Sequence, residues 1–537
     1  MTIKGMSWRD SERITWLLFA VAVVAVYFFA LDVPLLGPDE PRYAQVAREM
    51  FERGDLVTPT LGGYNWFEKP ALLYWLQYFS FSLFGIGEFA ARFGSALFGL
   101  GTITSMWLLG RAVSHPLPPI DSLGPLSEHD DPALSTQHSD LSTHTSDLGW
   151  WLALITATSL GLMAFSRGGS FDIVITFPVT ASLVSFYIYE HSDASNRAQR
   201  YISLSLFYAF IGVGLIGKGL IGAVFPGAIV VFYFLLCRRW PRKELILSAL
   251  WGSVIVLIVA GFWYLPMFLT HGWEFWDEFF VQHHFQRYTS NKYKHPGPFW
   301  FFFLVLPLMT IPWIPFFIAA IWKSVRRFIF RKTPESGDFI DYRPDLVKFA
   351  FSWLLVPLVF FSLSGSKLPG YILPALPAAA VIAGLAVVHY AKRSNARQLL
   401  IKYLAFITLV VVVSVLRFAL PVFARDDSMK HLVEVADGKG YSKSEILNLH
   451  TIVHSLEFYG AGRLVREDDG KQWKFLGDRG IVGHIMKNGG KPVLVAVPPQ
   501  FEAQLTTSPF LNSEVLGRTS EITMVGVSLR KTGGTKR

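Results

Sequence analysis

Twelve apolar runs separated by short polar connectors dominate this chain, and a soluble core has no use for so many. They lie near 14–34, 71–86, 90–112, 148–166, 172–190, 201–217, 219–237, 245–269, 298–322, 346–363, 371–390 and 399–421. Most approach the roughly 20 residues that a helix needs to cross a bilayer. Inside hydrocarbon each backbone group must be bonded within its own segment, which commits such runs to helix. The expected fold class is an α-helical integral membrane protein. Composition agrees: the 537 residues are 52% hydrophobic and only 17% charged, whereas a soluble chain of this length carries far more charge.

The positive-inside rule orients the spans. The strongest basic connectors are `RRWPRK` (238–243), `KSVRRFIFRK` (323–332) and `AKRSNARQ` (391–398), and they belong on the cytoplasmic side with the N-terminus. All three fall there only if one early run does not cross. The run `ALLYWLQYFSFSLFGI` (71–86) is short, aromatic and introduced by `FEKP`, which suits a helix lying in the interface. Eleven spans remain, with the C-terminus outside; a missed or split span in 201–237 would alter the number, giving about 11–13. Lys4, Arg9 and Arg13 precede the first run without a small-residue cleavage site, so it reads as an uncleaved signal anchor.

The expected organisation is a membrane domain over 1–421 and a small mixed α/β domain over 422–537. The second is outside the membrane, on the strand-like runs `KPVLVAVPP` and `ITMVGVSLR`. The membrane domain includes a first outer loop at about 35–89. Residues 113–147 hold Pro, Ser, four histidines and six acids without Lys or Arg, a composition that reads as a disordered cytoplasmic insertion. The net charge of +9 follows from basic membrane connectors and implies no nucleic acid partner. A single cysteine, Cys237, excludes an internal disulfide framework. No Walker loop, dinucleotide fingerprint or internal repeat is present.

With this topology the outer connectors collect Asp39, Glu40, Arg42, Glu68, Lys69, Arg167, Lys218, His283, His284, Arg287 and Lys367, and Asp172 opens the next span. In `GPDEPRYAQVAREM` (37–50), Pro41 fits a first helical turn with Asp39 and Glu40 in the capping region. Asp39, Arg42 and Tyr43 then share a face at i, i+3, i+4. An ordinary cap and a reaction centre both explain the stretch. In `NWFEKP` (65–70), Glu68 and Lys69 either face water or provide a metal ligand and a phosphate partner. Asp172 in `SRGGSFD` (166–172) is a helix cap or a second acid. `FWDEFFVQHHFQRY` (275–288) holds His283, His284 and Arg287 in an aromatic loop. A carboxylate–imidazole metal site with Glu68 is one use for them, and polar groups at the interface another. Lys367 and Tyr371 open another span in `SGSKLPGYILP` (364–374), where lysine can snorkel, and Lys218 interrupts two apolar runs. Acids and cations gathered on one side suit transfer of a group from an anionic leaving group. A donor embedded in the bilayer matches such a site better than a soluble nucleotide sugar, for which no catalytic domain is visible.

The ordered set `PDEPRYAQVAREM`, `TPTLGGYNWFEKPALLYWL`, `FAARFGSALFG`, `SRGGSFD`, `HHFQRY` and `SKLPGYILP` resembles the bacterial polyprenyl-phosphate-dependent glycosyltransferases that include the lipid A aminoarabinose transferases. More distantly it is similar to protein O-mannosyltransferases. The resemblance spans roughly residues 10–390 and implies a GT-C fold with interfacial helices and a periplasmic C-terminal domain, in a bacterial inner membrane. It implies transfer of a sugar, 4-amino-4-deoxy-L-arabinose among the candidates, from undecaprenyl phosphate to lipid A or a related envelope acceptor. Asp39 and Asp172 match the active-site acids. Glu40, Arg42, Tyr43, Lys69, Lys218, Arg287, Lys367 and Tyr371 match or adjoin positions around the lipid phosphate or sugar. Glu68 and His284 match a zinc site, with His283 leaving the histidine register open. Asp39 acts as general base toward a hydroxyl acceptor, or orients the sugar if the acceptor is a phosphate. The chain is expected to act as a monomer. It departs from the family in its 113–147 insertion and in Ala71, where a second proline commonly follows `EKP`. A lipid transporter or flippase is the competing class, but transporters carry paired halves and charges near mid-membrane.

Overall fold

The computed structural model describes residues 8–114, 148–279, 281, 297–330 and 343–530. Every one of the twelve apolar runs is helical there. Among the described residues, seven helices are long and apolar enough to cross a membrane. The insertion after Ser114, the histidine pair and Arg287 lie outside the described residues.

The run at 71–86 forms a helix, Leu72–Phe84, of 13 residues. At 1.5 Å per residue it is roughly 20 Å long, short of a hydrocarbon core of roughly 30 Å. That length is what the interfacial expectation requires.

By contacts the chain divides into two compact units. One comprises 1–29, 68–72 and 95–413; the other comprises 30–67, 73–94 and 414–537. Segments 30–67 and 73–94 therefore group with the C-terminal region, across the boundary expected at 421.

In the first unit, two runs expected as single spans are broken. Run 148–166 divides into Leu148–Thr158 and Leu160–Phe165, and run 298–322 into Phe301–Met309 and Ile314–Phe330. The two breaks bond to each other. Leu160 N donates to Ile311 O at 2.9 Å, and buried Trp313 Nε1 donates to Thr158 Oγ1 at 3.0 Å. Backbone freed inside a membrane protein is tolerated when neighbouring helices satisfy it. Pro307 within the second broken run favours the interruption.

The first span also differs from expectation: the helix covers Trp8–Phe28 and ends six residues before the apolar run does. Arg167 explains the stop. Its guanidinium donates to Val26 O at 2.6 Å, to Tyr27 O at 3.3 Å and to Phe29 O. Val26 O also accepts from Phe29 N at 3.2 Å, and the guanidinium serves the carbonyls that the helix terminus leaves open.

The second unit contains helix Asp39–Arg53, the hairpin β1 (Thr60–Leu61) and β2 (Tyr64–Asn65), and a five-stranded sheet. The sheet strands are β3 (Ile446–Leu449), β4 (Lys474–Phe475), β5 (Val493–Val497), β6 (Leu511–Arg518) and β7 (Thr523–Leu529), in the order β4-β3-β5-β7-β6. β3 is parallel to β4 and β5, and β7 is antiparallel to β5 and β6. β5 reads `VLVAV` with every residue buried, as a strand covered on both faces should. Val493, Val495 and Val497 pack with Ile481 and Ile485 of helix Asp478–Lys487, while Leu494 and Ala496 pack with Leu432 and Leu456. The small mixed α/β domain expected from the sequence is present.

A buried polar chain ties this domain to the hairpin. Asn448 donates to Gln472 at 2.7 Å, Gln472 to Glu457 at 2.6 Å, and Arg466 pairs with Glu457. The Arg466 guanidinium lies against Gly62, leaving no room for a Cβ, and Gly62 has φ +64. Gly62 N donates to Glu49 Oε1 at 2.6 Å, which carries the chain of bonds into helix Asp39–Arg53. Gly62→Ala should cost about 1–3 kcal/mol through strain and displacement of Arg466. A thermal melt in detergent should show a lowered midpoint, and an unchanged midpoint would refute the packing role of Gly62.

Candidate active site

Glu40 leaves the surface entirely. It is 8% exposed, and its two carboxylate oxygens accept from Nε and Nη2 of Arg92, each at 2.7 Å. Arg92, 4% exposed, also donates to the carbonyls of Leu31 at 3.0 Å and Pro34 at 3.0 Å, and to that of Val33. Glu40 Oε2 accepts from Leu36 N at 2.9 Å. One fork-to-fork ion pair thus gathers the whole 31–36 segment onto the first turn of helix Asp39–Arg53. The capping expected of Asp39 and Glu40 takes another form: no side chain caps this helix, and Glu40 bonds backward to the turn.

The same turn is held by the C-terminal region of its unit. Leu35 N donates to Tyr459 Oη at 2.8 Å, and Gly37 N donates to Asp427 Oδ2 at 3.0 Å. Tyr459 Oη donates to Glu88 Oε1 at 3.1 Å, which also pairs with Lys430 at 2.7 Å. Asp39 therefore projects from a turn fixed on two sides, with its side chain 52% exposed. Arg42 pairs with Asp39 and lies 5.6 Å from the Trp66 ring centroid. Tyr43 does not join them at the surface. It is 6% exposed and its ring packs 6.3 Å from that of Tyr74.

His454 enters this neighbourhood unannounced by the sequence. Burial first, and Arg42 second, hold its pKa below the ordinary histidine value, while Glu457 and Asp39 pull it upward. Helix Asp39–Arg53 packs on helix Leu456–Tyr459, which begins two residues after His454.

The first unit holds the other charged groups. Ser170 caps helix Phe171–His191 by accepting from Asp172 N at 3.1 Å, so the Asp172 carboxylate is not needed as the cap. Instead Asp172 pairs with Lys218, whose ammonium lies 4.9 Å from the Tyr371 ring centroid. Both members of the pair are mostly buried, at 17% and 15% side-chain exposure. Gly370 makes that geometry possible, because a Cβ there would overlap Asp172 Oδ2 and approach Phe165 at 2.7 Å. Lys367 does not snorkel. Its ammonium donates to Ser362 O at 3.1 Å and Ser364 O at 2.6 Å, closing the C-terminal end of helix Pro344–Leu363. Lys69 Nζ pairs with Glu68 Oε1 at 2.7 Å in a largely buried setting.

The metal expectation finds no support in these residues. Among the described residues no group of three or more His, Cys, Asp or Glu could hold an ion, and Glu68 already accepts from Lys69. The described residues alone do not form a metal site.

The chain is thus a many-helix membrane protein with the GT-C fold, with an acid–cation group in each of its two units. In particular it resembles the aminoarabinose transferases. It is 30% identical over 368 residues to the undecaprenyl phosphate-alpha-4-amino-4-deoxy-L-arabinose arabinosyl transferase of Serratia proteamaculans, covering 68% of this chain and 58% of that relative. Against the Edwardsiella ictaluri enzyme of the same name it is 29% identical over 372 residues, with the same coverage. The matched segment therefore spans a little under three fifths of those relatives. A family model for dolichyl-phosphate-mannose-protein mannosyltransferase matches residues 134–276. The fold is shared with the crystal structures of ArnT from Cupriavidus metallidurans. For the form bound to undecaprenyl phosphate the TM-score is 0.71 at 24% identity, covering 95% of this chain and 97% of that one. For the apo form the TM-score is 0.72 at 22% identity, covering 97% and 98%.

Two predictions follow from the second unit. Arg92→Leu leaves Glu40 buried without its partner and strips the Leu31, Val33 and Pro34 carbonyls of their donor; it should cost about 3–5 kcal/mol, of which Arg92→Leu/Glu40→Leu recovers the part due to the unpaired carboxylate. Thermal melts of wild type, single and double variants test this, and a double variant as unstable as the single would count against it. A histidine whose folded pKa is depressed contributes fully above its unfolded value and loses that contribution as pH falls through the folded value. Acidification from about pH 7 to 5 should lower the wild-type melting midpoint more steeply than that of His454→Gln. Parallel pH profiles would show that His454 has no part in it.

Proposed function

We propose that this chain is a membrane glycosyltransferase that moves a sugar from undecaprenyl phosphate to lipid A or a related envelope acceptor outside the inner membrane. The likeness to the named aminoarabinose transferases over about two thirds of the chain carries the reading. The charged groups supply its chemistry. The acceptor oxygen attacks the anomeric carbon, the bond from that carbon to the phosphate oxygen breaks, and its electron pair leaves on the phosphate with inversion at carbon.

Lys69 and Arg287 stabilise the departing phosphate, since a charge-assisted hydrogen bond strengthens where water is excluded. Arg42 holds Asp39, and Asp172 holds Lys218 beside Tyr371. A hydroxyl acceptor gives its proton to Asp39, which then acts as general base; a phosphate acceptor needs no base, and Asp39 then orients the sugar. Glu40, Tyr43 and Lys367 act through position rather than contact: Glu40 through Arg92, Tyr43 through Tyr74, and Lys367 by fixing the turn that leads to Tyr371. The sugar is 4-amino-4-deoxy-L-arabinose on this reading, and the active copy is a monomer. The zinc proposed at Glu68 and His284 has its own check: bound zinc should fall in both Glu68→Gln and His284→Ala.

The mannosyltransferase match over 134–276 favours a second reading, a protein hydroxyl acceptor. The deciding experiment is transfer in membranes from defined undecaprenyl-phosphate sugars to lipid A and to peptide. Asp39→Asn and Lys69→Ala should each lower transfer by about a hundredfold or more. Full transfer by both variants would remove the site assignment, and lipid movement between leaflets without consumption of donor would establish a flippase. Sidedness is checked by cysteine labelling: Asn65→Cys should react with an impermeant reagent from outside, and Trp240→Cys should not.

A further inference from the structure

Away from these charged groups, the first unit contains a cavity of about 900 Å³ between helices Phe301–Met309, Ile314–Phe330 and Pro344–Leu363. Phe302, Leu306, Phe317, Ile321, Leu354 and Leu358 belong to its wall. Its volume is within the roughly 300–1,000 Å³ usual for a ligand pocket, toward the upper end, and its lining is almost wholly apolar. Exposed side chains at its margin, among them Ile318 and Trp322, leave it open toward the bilayer.

Two cations belong to its lining, Arg327 and Lys348, together with Ser324. Arg327 is in the last turn of helix Ile314–Phe330, and Lys348 is four residues into helix Pro344–Leu363. Only residues 331–343 connect those two helices, so both cations belong to the end of the bundle that carries the `KSVRRFIFRK` connector. From there the lining runs from Val347 to Leu358 along one helix. At 1.5 Å per residue that distance is roughly 16 Å, about half of a hydrocarbon core of roughly 30 Å. The cavity therefore has the depth of one leaflet, with positive charge at its headgroup end. The cytoplasmic leaflet is the one rich in anionic lipid.

We infer that this cavity is a binding site for an anionic diacyl phospholipid of the leaflet on the basic-connector side, with its phosphate at Arg327 and Lys348 and its acyl chain along the Phe302–Leu354 wall. Asp345 lies 3.7 Å from Lys348 with both side chains more than a third exposed, and such a pair is weak enough for a phosphate to replace. The depth argues against a polyprenyl chain, which would extend past the bilayer midplane. This site is separate from the proposed transfer chemistry and does not depend on it.

Native mass spectrometry of the full chain, released from mixed phosphatidylglycerol and phosphatidylcholine, provides the test. Wild type should retain phosphatidylglycerol in preference. A lysine or arginine beside anionic lipid contributes ~1 kcal/mol, about fivefold in occupancy. Arg327→Gln and Lys348→Gln should each lower the preference by about that factor while phosphatidylcholine retention is unchanged. Leu355→Trp, which fills the cavity, should reduce retention of both lipids, and melting midpoints would verify that each variant is folded. Equal retention of the two lipids by wild type, or an undiminished preference in the double cation variant, overturns the inference. Displacement of the bound phospholipid by undecaprenyl phosphate at equal concentration would do so as well, by assigning the cavity to a polyprenyl chain.

Discussion

The ion pair between Glu40 and Arg92 is the contact on which the 31–42 segment depends. A buried arginine is costly unless its donors are all used, and Arg92 uses them on one carboxylate and on the carbonyls of Leu31, Val33 and Pro34. Those carbonyls belong to a segment that has just left a helix and has no regular structure to satisfy it. The pair thereby fixes the irregular 31–36 segment on the first turn of helix Asp39–Arg53. Asp39, adjacent to Glu40, inherits its position from this arrangement.

A similar economy recurs in the first unit, where charged side chains complete backbone that helices leave open. Arg167 closes the end of the first span, and Lys367 closes the end of helix Pro344–Leu363. Ser170 takes the capping task at Phe171–His191, which releases Asp172 to hold Lys218. Different contacts are thus divided among neighbouring residues of the same short motif: Glu40 is buried and Asp39 exposed, Ser170 caps and Asp172 pairs, Lys367 closes a helix and Tyr371 receives a cation against its ring.

The division explains what could be read in advance. Helix existence followed from hydrophobic run length, because the bilayer imposes that length, and the short 71–86 run forms a correspondingly short helix. The breaks at Ser159 and at 310–313 were not legible, since each is stabilised by the other across more than a hundred residues. The motifs drew attention to Asp172 and Lys218, which the structure pairs, yet could not distinguish a presented acid from a buried one in `PDEPRY`. The partner that decides this, Arg92, had a visible signal: an arginine in the first turns of an apolar helix, within `FAARFGSALFG`. His454 had none, because its relation to Arg42 and Asp39 arises only when the C-terminal domain folds against the outer segment.

Hydrogen exchange on the 31–42 segment tests the central claim most directly, comparing wild type with Arg92→Leu. If the Glu40–Arg92 pair fixes the 31–36 segment, the amides of Leu35, Leu36 and Gly37 should lose protection in the variant while helix Trp8–Phe28 keeps its own. Protection at those three amides that is unchanged in a folded Arg92→Leu protein would contradict the account.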